Sequence, residues 1–438
     1  MGDASEWVVL STPDLNGVLR GKALSARQFA DAVHRDAVGI TDLILATDAL
    51  DTPIATSTCV GPGRGAGDLL LRPDLSTLTP LPWRPSWAWC LADVRWQDGS
   101  PCDIAPRVVC DTVLTALEAT HGLRVCAAFE FEFRLHDVEN GAPVTGGRSY
   151  SAGELGALAP FLDALRTATS ACGLDLSALH TEAGPGLVEV NLAPAIGTAA
   201  ADHAALLRAC VEEVASQQGM RASFLAKPAV GEEGSGGHLH LSLLDRGDAN
   251  VFAGDLRAGE PPAPPLRHAV AGLVETLAPL SAIYNPAINS YKRLVPGWFA
   301  PVTASWALDD RAVAVRLVAG ADPRATHVEL RRAGADANPH LVLAAAVAAI
   351  HGGLDAGREP PPAATPEAPG AELPRDLATA LGAFRAADEL HARLGRRFCA
   401  HFAATREWEL RAWQEVVTEW ERTRVEGRAS GLFRSGRS

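Results

Sequence analysis

The sequence predicts an α+β protein with a small N-terminal domain over 1–102 and a larger domain over 103–438. Three observations carry this reading. Residues up to about 102 alternate short strand patterns with turn signals and offer one short helix, over 25–36. From Arg107 the texture changes, and longer helical patterns alternate with strands between Gly- and Pro-rich punctuation. The chain has 438 residues, 47% hydrophobic and 21% charged, which suffices for a large core in two or three domains.

In the first domain Trp7 to Leu10 reads as a strand, Pro13 to Gly17 as a turn, and Val18 to Lys22 as the returning strand. Trp87 to Val94 is a further strand, and Asp98 to Pro101 punctuates the end. In the second domain a helix is predicted over 107–120, with Pro106 at its start. A strand follows at 129–133, a Gly-rich loop at 141–153, and helices near 158–172 and 199–218. His180 to Asn191 is a turn feeding a strand. The Gly-rich turn at 231–237 leads into a strand at 238–243. A helix over 266–280, a strand at 327–331 and an Ala-rich helix opened by Asn338-Pro339 come next. Residues 355–374 form a Pro-rich surface connection, and the chain beyond it reads as helical, with Trp408, Trp413 and Trp420 as anchors.

The bulk properties exclude several classes. A net charge of −13 argues against a nucleic-acid partner, which needs clustered Lys and Arg. None of the eight cysteines forms a C-x-x-C pair, so they read as reduced core thiols of a cytoplasmic protein. The N-terminus lacks the basic and apolar regions of a signal peptide. The longest apolar run, Leu341 to Ile350, is too short to span a bilayer, and no membrane partner is expected.

The chemistry begins at Phe129-Glu130-Phe131-Glu132-Phe133. A period of two sends the glutamates to one face and the phenylalanines to the other. Taken alone, such a strand is half-buried with its glutamates solvated. If both faces are enclosed, the carboxylates need cations. Three other strands repeat the pattern, carrying Glu189/Asn191, His238/His240/Ser242 and His327/Glu329/Arg331, with Glu182 at the turn before the first of these. Were the four neighbours in one sheet, five glutamates and one or two histidines would line one cavity, a set suited to Mg²⁺ or Mn²⁺. Zinc fits less well without H-E-x-x-H or a cysteine pair. Each piece alone also has an ordinary reading as polar surface or a cross-strand ion pair. Arg293 lies in a dense run of turn residues, and Arg311 and Arg316 stand five apart. Arginines beside carboxylate-bound metals imply an anionic substrate.

In this order the segments resemble the glutamine synthetase family. They are F-E-F-E-F at 129–133, H-T-E-A-G-P-G-L-V-E-V-N at 180–191, K-P at 227–228 with G-S-G-G-H-L-H at 234–240, N-S-Y-K-R-L-V-P-G at 289–297 and V-E-L-R…A-D-A-N-P-H-L at 328–341. R-G-K at 20–22, R-P-D-L-S-T-L at 72–78, D-G-S-P…P-R at 98–107 and W-E-R at 420–422 extend the match over nearly the whole chain. The resemblance implies an N-terminal β-grasp domain and a catalytic α/β domain whose curved antiparallel sheet forms a funnel. It implies a homo-oligomer, commonly a dodecamer of two hexameric rings with sites between subunits. It implies ATP and two to three Mg²⁺ or Mn²⁺ ions per site. By motif, Glu132, Glu182 and Glu189 would hold the metal nearer the acyl substrate, and Glu130, His238 and Glu329 the metal nearer the phosphates. Arg293 and Arg331 would grip the substrate carboxylate or transferred phosphoryl group, with Gly234 beside the acyl substrate. Arg311 and Arg316 would contact phosphates, and His240 with Ser242 would border the nucleotide. The implied chemistry is carboxylate attack on ATP, then displacement of phosphate by an amine.

The departures bear on substrate. Ammonia-using members carry a glutamate just before A-P-V, where this chain has Phe299, and their D-G-S-S segment is not found. A phenyl ring cannot take a proton from ammonium but can line a pocket for an organic amine. The expectation is therefore an ATP-dependent ligase joining the γ-carboxylate of glutamate to an organic amine (a monoamine, ethanolamine or a polyamine), with the first two favoured. The alternatives are an ammonia-dependent glutamine synthetase and a catalytically silent structural or sensor protein. Glu233, Leu187 and His327 replace an asparagine, a glutamine and an arginine of the family pattern, which leaves the acyl substrate open.

Overall fold

The short strands of the N-terminal segment pair into one mixed sheet in the computed structural model, which describes residues 5–35 and 37–426. β1 (Trp7–Pro13) turns back into antiparallel β2 (Leu19–Ser25), which runs directly into α1 (Ala26–Arg35). Asp14 builds the turn by accepting from the backbone N–H of Asn16 and Val18, at 2.8 and 2.9 Å. β3 (Val38–Thr41), β4 (Asp68–Pro73), β5 (Thr79–Pro80) and β6 (Trp87–Arg95) complete the sheet in the order β2-β1-β6-β4-β3, with β5 also on β6. β1 and β6 run parallel, and α1 turns Phe29 and Ala32 into the core. This is the β-grasp arrangement that the resemblance implies.

α2 (Pro106–His121) opens the second part. Its first residue is a proline, whose missing N–H costs nothing there, and it ends at Gly122 in the left-handed conformation. β7 (Arg124–Asp137) follows and is far longer than the five residues whose alternation announced it. Next come α3 (Ala152–Ala157), α4 (Ala159–Ala171), β8 (Leu176–Thr181), β9 (Leu187–Leu192), β10 (Ala195–Ile196), α5 (Ala199–Gln217), β11 (Met220–Ser223) and β12 (Gly237–Leu244). α6 (Pro264–Tyr284), β13 (Thr303–Ala304), β14 (Trp306–Leu308), β15 (Val315–Val318), β16 (His327–Leu330), α7 (Pro339–Ala356) and β17 (Ala371–Glu372) come after them. Four helices close the described chain: α8 (Leu377–Arg385), α9 (Asp388–Leu394), α10 (Arg396–Gln414) and α11 (Glu419–Glu426).

A nine-stranded sheet runs β14-β15-β16-β12-β7-β9-β8, with β10 and β11 also on β7. All its pairings are antiparallel except β14 with β15. The four strands with polar faces are thus consecutive neighbours. Their apolar faces form the core. Phe129, Phe131 and Phe133 are buried, with Phe129 and Phe131 stacked at 5.7 Å and Phe133 against Phe224 at 5.3 Å.

α7 is buried from Pro339 to Ile350. By length and composition it could cross a membrane, but its place is the interior of the fold, packed on α2 and α6. The eight cysteines are free thiols, buried or half-buried. Of the three predicted tryptophan anchors only Trp408 holds, its Nε1 donating to Asp48 at 3.3 Å. Trp413 and Trp420 are 47% and 57% exposed, because α11 follows a turn and the end of α10 has no layer above it among the described residues.

A buried charge cluster ties the two parts together. Arg107 on α2 is paired with Asp74 and Asp93 of the N-terminal sheet region and, through Nε and Nη2 at 3.0 and 2.9 Å, with Asp202 on α5. His340 donates to Asp202 at 2.8 Å. Burial alone would raise the Asp202 pKa, but hydrogen bonds from His340 and Arg107 outweigh it and bring the group down to about 2. Its folded pKa is depressed, so this contribution is present above the unfolded pKa and fades as pH falls towards about 2. Arg107→Met strands three carboxylates, and stability at neutral pH should fall by about 3–5 kcal/mol in urea unfolding, with the denaturant slope unchanged.

Candidate active site

Strand register sets the site. Glu132 on β7 stands opposite Glu189 on β9, and Glu130 opposite both Asn191 on β9 and His238 on β12. His240 on β12 faces Glu329 on β16, which faces Arg316 on β15. A period of two on each strand turns these side chains to one side of the sheet, into a cleft of about 340 Å³. The cleft brings together Glu130, Glu132, Glu182, Glu189, Gly234, His238, His240, Arg293, Phe299, Arg311, Arg316, Glu329 and Arg331. Ser242, on the same face of β12 but two residues further on, lies outside that lining, opposite Cys126.

Two groups of donor atoms stand out, each drawn within 4.8 Å. One is Glu130, His238 and Glu329, with His238 Nδ1 donating to Glu130 Oε1 at 2.7 Å. The other is His180, Glu182 and Glu189, with His180 Nε2 3.0 Å from Glu182 and 3.3 Å from Glu189. Glu132 lines the same cleft, but its carboxylate accepts from the Gly236 N–H at 2.6 Å. His180 joins Glu182 and Glu189, and Glu132 stands opposite Glu189 in the strand register.

The electrostatics show how much charge is confined here. Burial, with the neighbouring Glu130, Glu132 and Glu182, pushes Glu189 up to about 9. Glu130 goes the other way. Burial opposes its ionisation, yet hydrogen bonds and charge from His238 and His240 hold it well below the carboxylate range. Glu329 is also lowered, against burial, by Arg331 and the two histidines. His327 Nδ1 donates to the Ala325 carbonyl at 2.7 Å, so its Nε2 accepts from His240 Nδ1 at 3.0 Å. His240 donates its other nitrogen to Glu130 at 3.3 Å, the arrangement of an imidazolium. Burial lowers the pKa of His240 but the Glu130 hydrogen bond prevails and raises it, whereas burial lowers that of His327.

The arginines divide by environment. Arg293 is buried and donates to the carbonyls of Arg331, Arg332 and Ala333 at 3.1–3.3 Å. Arg316 donates to Glu329 Oε2 at 2.9 Å, and Arg331 pairs with the other oxygen of Glu329. Arg311 is exposed at the cleft. The Gly-rich turn before β12 is dictated by proximity: a Cβ on Gly234 would meet Arg293 Cγ at 2.5 Å, and one on Gly236 would meet the His238 ring at 2.5 Å. Phe299 sits at the mouth, 66% exposed, in the left-handed region at φ 51°, so the turn presents its ring outward. Beside it Trp298 packs under Lys227 Nζ, 4.1 Å from the ring centre.

Sequence reasoning missed His180, Tyr150, Trp298 and Arg134. His180 stands two residues before Glu182, and the same alternation could have found it. Arg134 continues the β7 alternation one step beyond Glu132. It is buried and donates to the Glu233 carbonyl, and its Nε and Nη1 have no hydrogen-bond partner among the described residues. Tyr150 stacks on His180 at 4.4 Å from a Gly-rich loop, in the left-handed conformation, with no signal in the sequence.

Comparison with known proteins accounts for this cleft. A family model described as glutamine synthetase, catalytic domain, matches residues 103–425. The chain belongs to the glutamine synthetase family. It is 32% identical over 436 residues to a glutamate–isopropylamine ligase of a Pseudomonas species, covering 96% of this chain and 94% of that one. It is 33% identical over 431 residues to a gamma-glutamylethanolamide synthetase of Streptomyces coelicolor, covering 95% and 91%. A solved structure described as apo GmaS without ligand superposes with a TM-score of 0.83 at 29% identity, covering 95% of this chain and 96% of that one.

Membership implies ATP and divalent metal ions, and the donor set fits them. Each group offers carboxylate oxygens and an imidazole and no thiolate, and the raised Glu189 pKa marks negative charge that nearby cations do not balance. Glu130, His238 and Glu329 would hold one ion, and Glu182 and Glu189, with His180 or Glu132, another. When bound, such ions neutralise charge on a transferring phosphoryl group. Adding Mn²⁺ to metal-free protein should raise its melting temperature, and Glu189→Gln should shrink that rise. Glu130→Ala and Glu132→Ala should each cut turnover by roughly three orders of magnitude or more. Their circular dichroism should match the parent.

Proposed function

We propose that this protein is an ATP-dependent ligase that joins the γ-carboxylate of glutamate to an organic amine, with a monoamine or amino alcohol such as ethanolamine preferred. The observation that carries the choice of amine is Phe299, whose ring stands at the cleft mouth among Trp298 and Tyr150, where a proton-accepting carboxylate would suit ammonium. The names of relatives support an organic amine, being those of a glutamate–isopropylamine ligase, a gamma-glutamylethanolamide synthetase and synthetases of gamma-glutamylputrescine and gamma-glutamylpolyamine.

In this reading a glutamate carboxylate oxygen attacks the γ-phosphorus of ATP, and ADP leaves with the electrons of the broken P–O bond. The amine nitrogen then attacks the acyl carbon, phosphate departs, and the nitrogen loses a proton. Mg²⁺ or Mn²⁺, two to three ions per site, would screen the phosphates. Arg311 and Arg316 would meet the ATP phosphates, and Arg293 and Arg331 the acyl substrate or the transferred phosphoryl group. The aromatic rim would exclude water, which would otherwise hydrolyse the acyl phosphate. Gly234 lets Arg293 approach, and His240 would border the nucleotide.

The same reading places the enzyme in the cytoplasm, supported by its free thiols. It also takes the enzyme as a homo-oligomer, a dodecamer of two hexameric rings. Trp413, Val416, Val417 and Trp420 are exposed apolar residues close together in the sequence, which suits a subunit contact.

The test is ATP-dependent phosphate release over a panel of amines crossed with carboxylic acids. Glutamate with isopropylamine or ethanolamine should outrun glutamate with ammonia or putrescine. Fastest release with ammonia would overturn the reading. Phe299→Glu should lower activity with the organic amine and raise it with ammonia.

A further inference from the structure

Away from the cleft, the C-terminal end of α2 meets the C-terminal end of α7. His121 is the last residue of α2, and His351 and Asp355 lie one turn apart on one face of α7. His121 Nε2 is 2.9 Å and His351 Nε2 3.6 Å from the same atom, Asp355 Oδ1. The two rings meet edge to face at 5.3 Å, and all three donor atoms lie within 4.8 Å.

We infer that His121, His351 and Asp355 form a second, non-catalytic site for a transition-metal ion of the Zn²⁺ class. Ligand atoms around a tetrahedral ion with bonds of about 2.0–2.1 Å stand about 3.3 Å apart. The separations of 2.9 and 3.6 Å bracket that value. Two imidazoles and one carboxylate favour Zn²⁺, Co²⁺ or Ni²⁺ over Mg²⁺, which prefers oxygen and keeps its water.

Two further observations point to a ligand. The His351 side chain is only 8% exposed, and its Nε2 lies 3.6 Å from the Asp355 oxygen, beyond hydrogen-bond length but within reach of an ion held between them. Arg393 on α9 holds the other oxygen, Asp355 Oδ2, at 2.7 Å. That fixes the carboxylate so that Oδ1 faces both rings, as outer partners of metal ligands do. Asp355 and His121 are 33% and 24% exposed, which leaves a fourth position open to water. A bound ion would pin the end of α2 to α7, the apolar helix at the centre of the core.

The site is independent of the ligase reading and separable from it by experiment. Full-length protein is stripped with chelator, dialysed against Zn²⁺ in excess Mg²⁺, and its retained zinc counted. Wild type should keep one Zn²⁺ per chain that His121→Ala lacks, and its Zn²⁺-dependent rise in melting temperature should vanish in that variant. The affinity lost should be about tenfold or more. With Co²⁺, wild type and Glu189→Gln should both show the visible absorption of a tetrahedral site, and His121→Ala should not. Asp355→Asn, nearly isosteric, supplies the same comparison should His121→Ala not fold. Equal zinc in wild type and both variants, no zinc retained by wild type, or a cobalt spectrum lost in Glu189→Gln instead would overturn the inference.

Discussion

The cleft depends on one constraint: carboxylates that repel one another are held on a rigid face from which they cannot withdraw. The polar face of β7 is fixed because its other face is packed by Phe129, Phe131 and Phe133, so a register slip would exchange phenylalanine for glutamate throughout. The apolar core thereby imposes the repulsion. Glu189 shows the consequence in a pKa near 9. Glu130 and Glu329 show the remedy the chain supplies itself, histidines and arginines on the neighbouring strands. What the chain leaves unbalanced is negative charge, which divalent cations would take up.

The arrangement separates two tasks. The floor, built from paired strands, is dense in hydrogen bonds and fixed charges. Arg293 illustrates this, since three backbone carbonyls set its guanidinium in place before any substrate arrives. The rim is built from turns. Tyr150 and Phe299 both sit in left-handed backbone and both expose aromatic rings over the cleft. In the proposed reading, chemistry common to the family belongs to the floor, and choice of amine to the rim.

Much of the floor was legible in the sequence because strand alternation is a local code. Glu130, Glu132, His238 and Glu329 followed from a period of two, and their convergence needed only that the strands be neighbours. The same code held His180 and Arg134, one step past where the reading stopped. Other features were not local. The turn of Glu132 towards the Gly236 N–H depends on a loop a hundred residues away. Tyr150 reaches His180 through a Gly-rich loop whose path no periodicity encodes. Trp413 and Trp420 read as anchors because large aromatics usually are, yet among the described residues both stay about half exposed.

The account centres on a carboxylate activated by ATP and then captured by an organic amine. The most direct measurement follows ¹⁸O from the γ-carboxylate of labelled glutamate during turnover with isopropylamine or ethanolamine. The account predicts that each phosphate released carries one labelled oxygen, in step with amide formed. Unlabelled phosphate, or labelled phosphate released as fast without any amine, would contradict it.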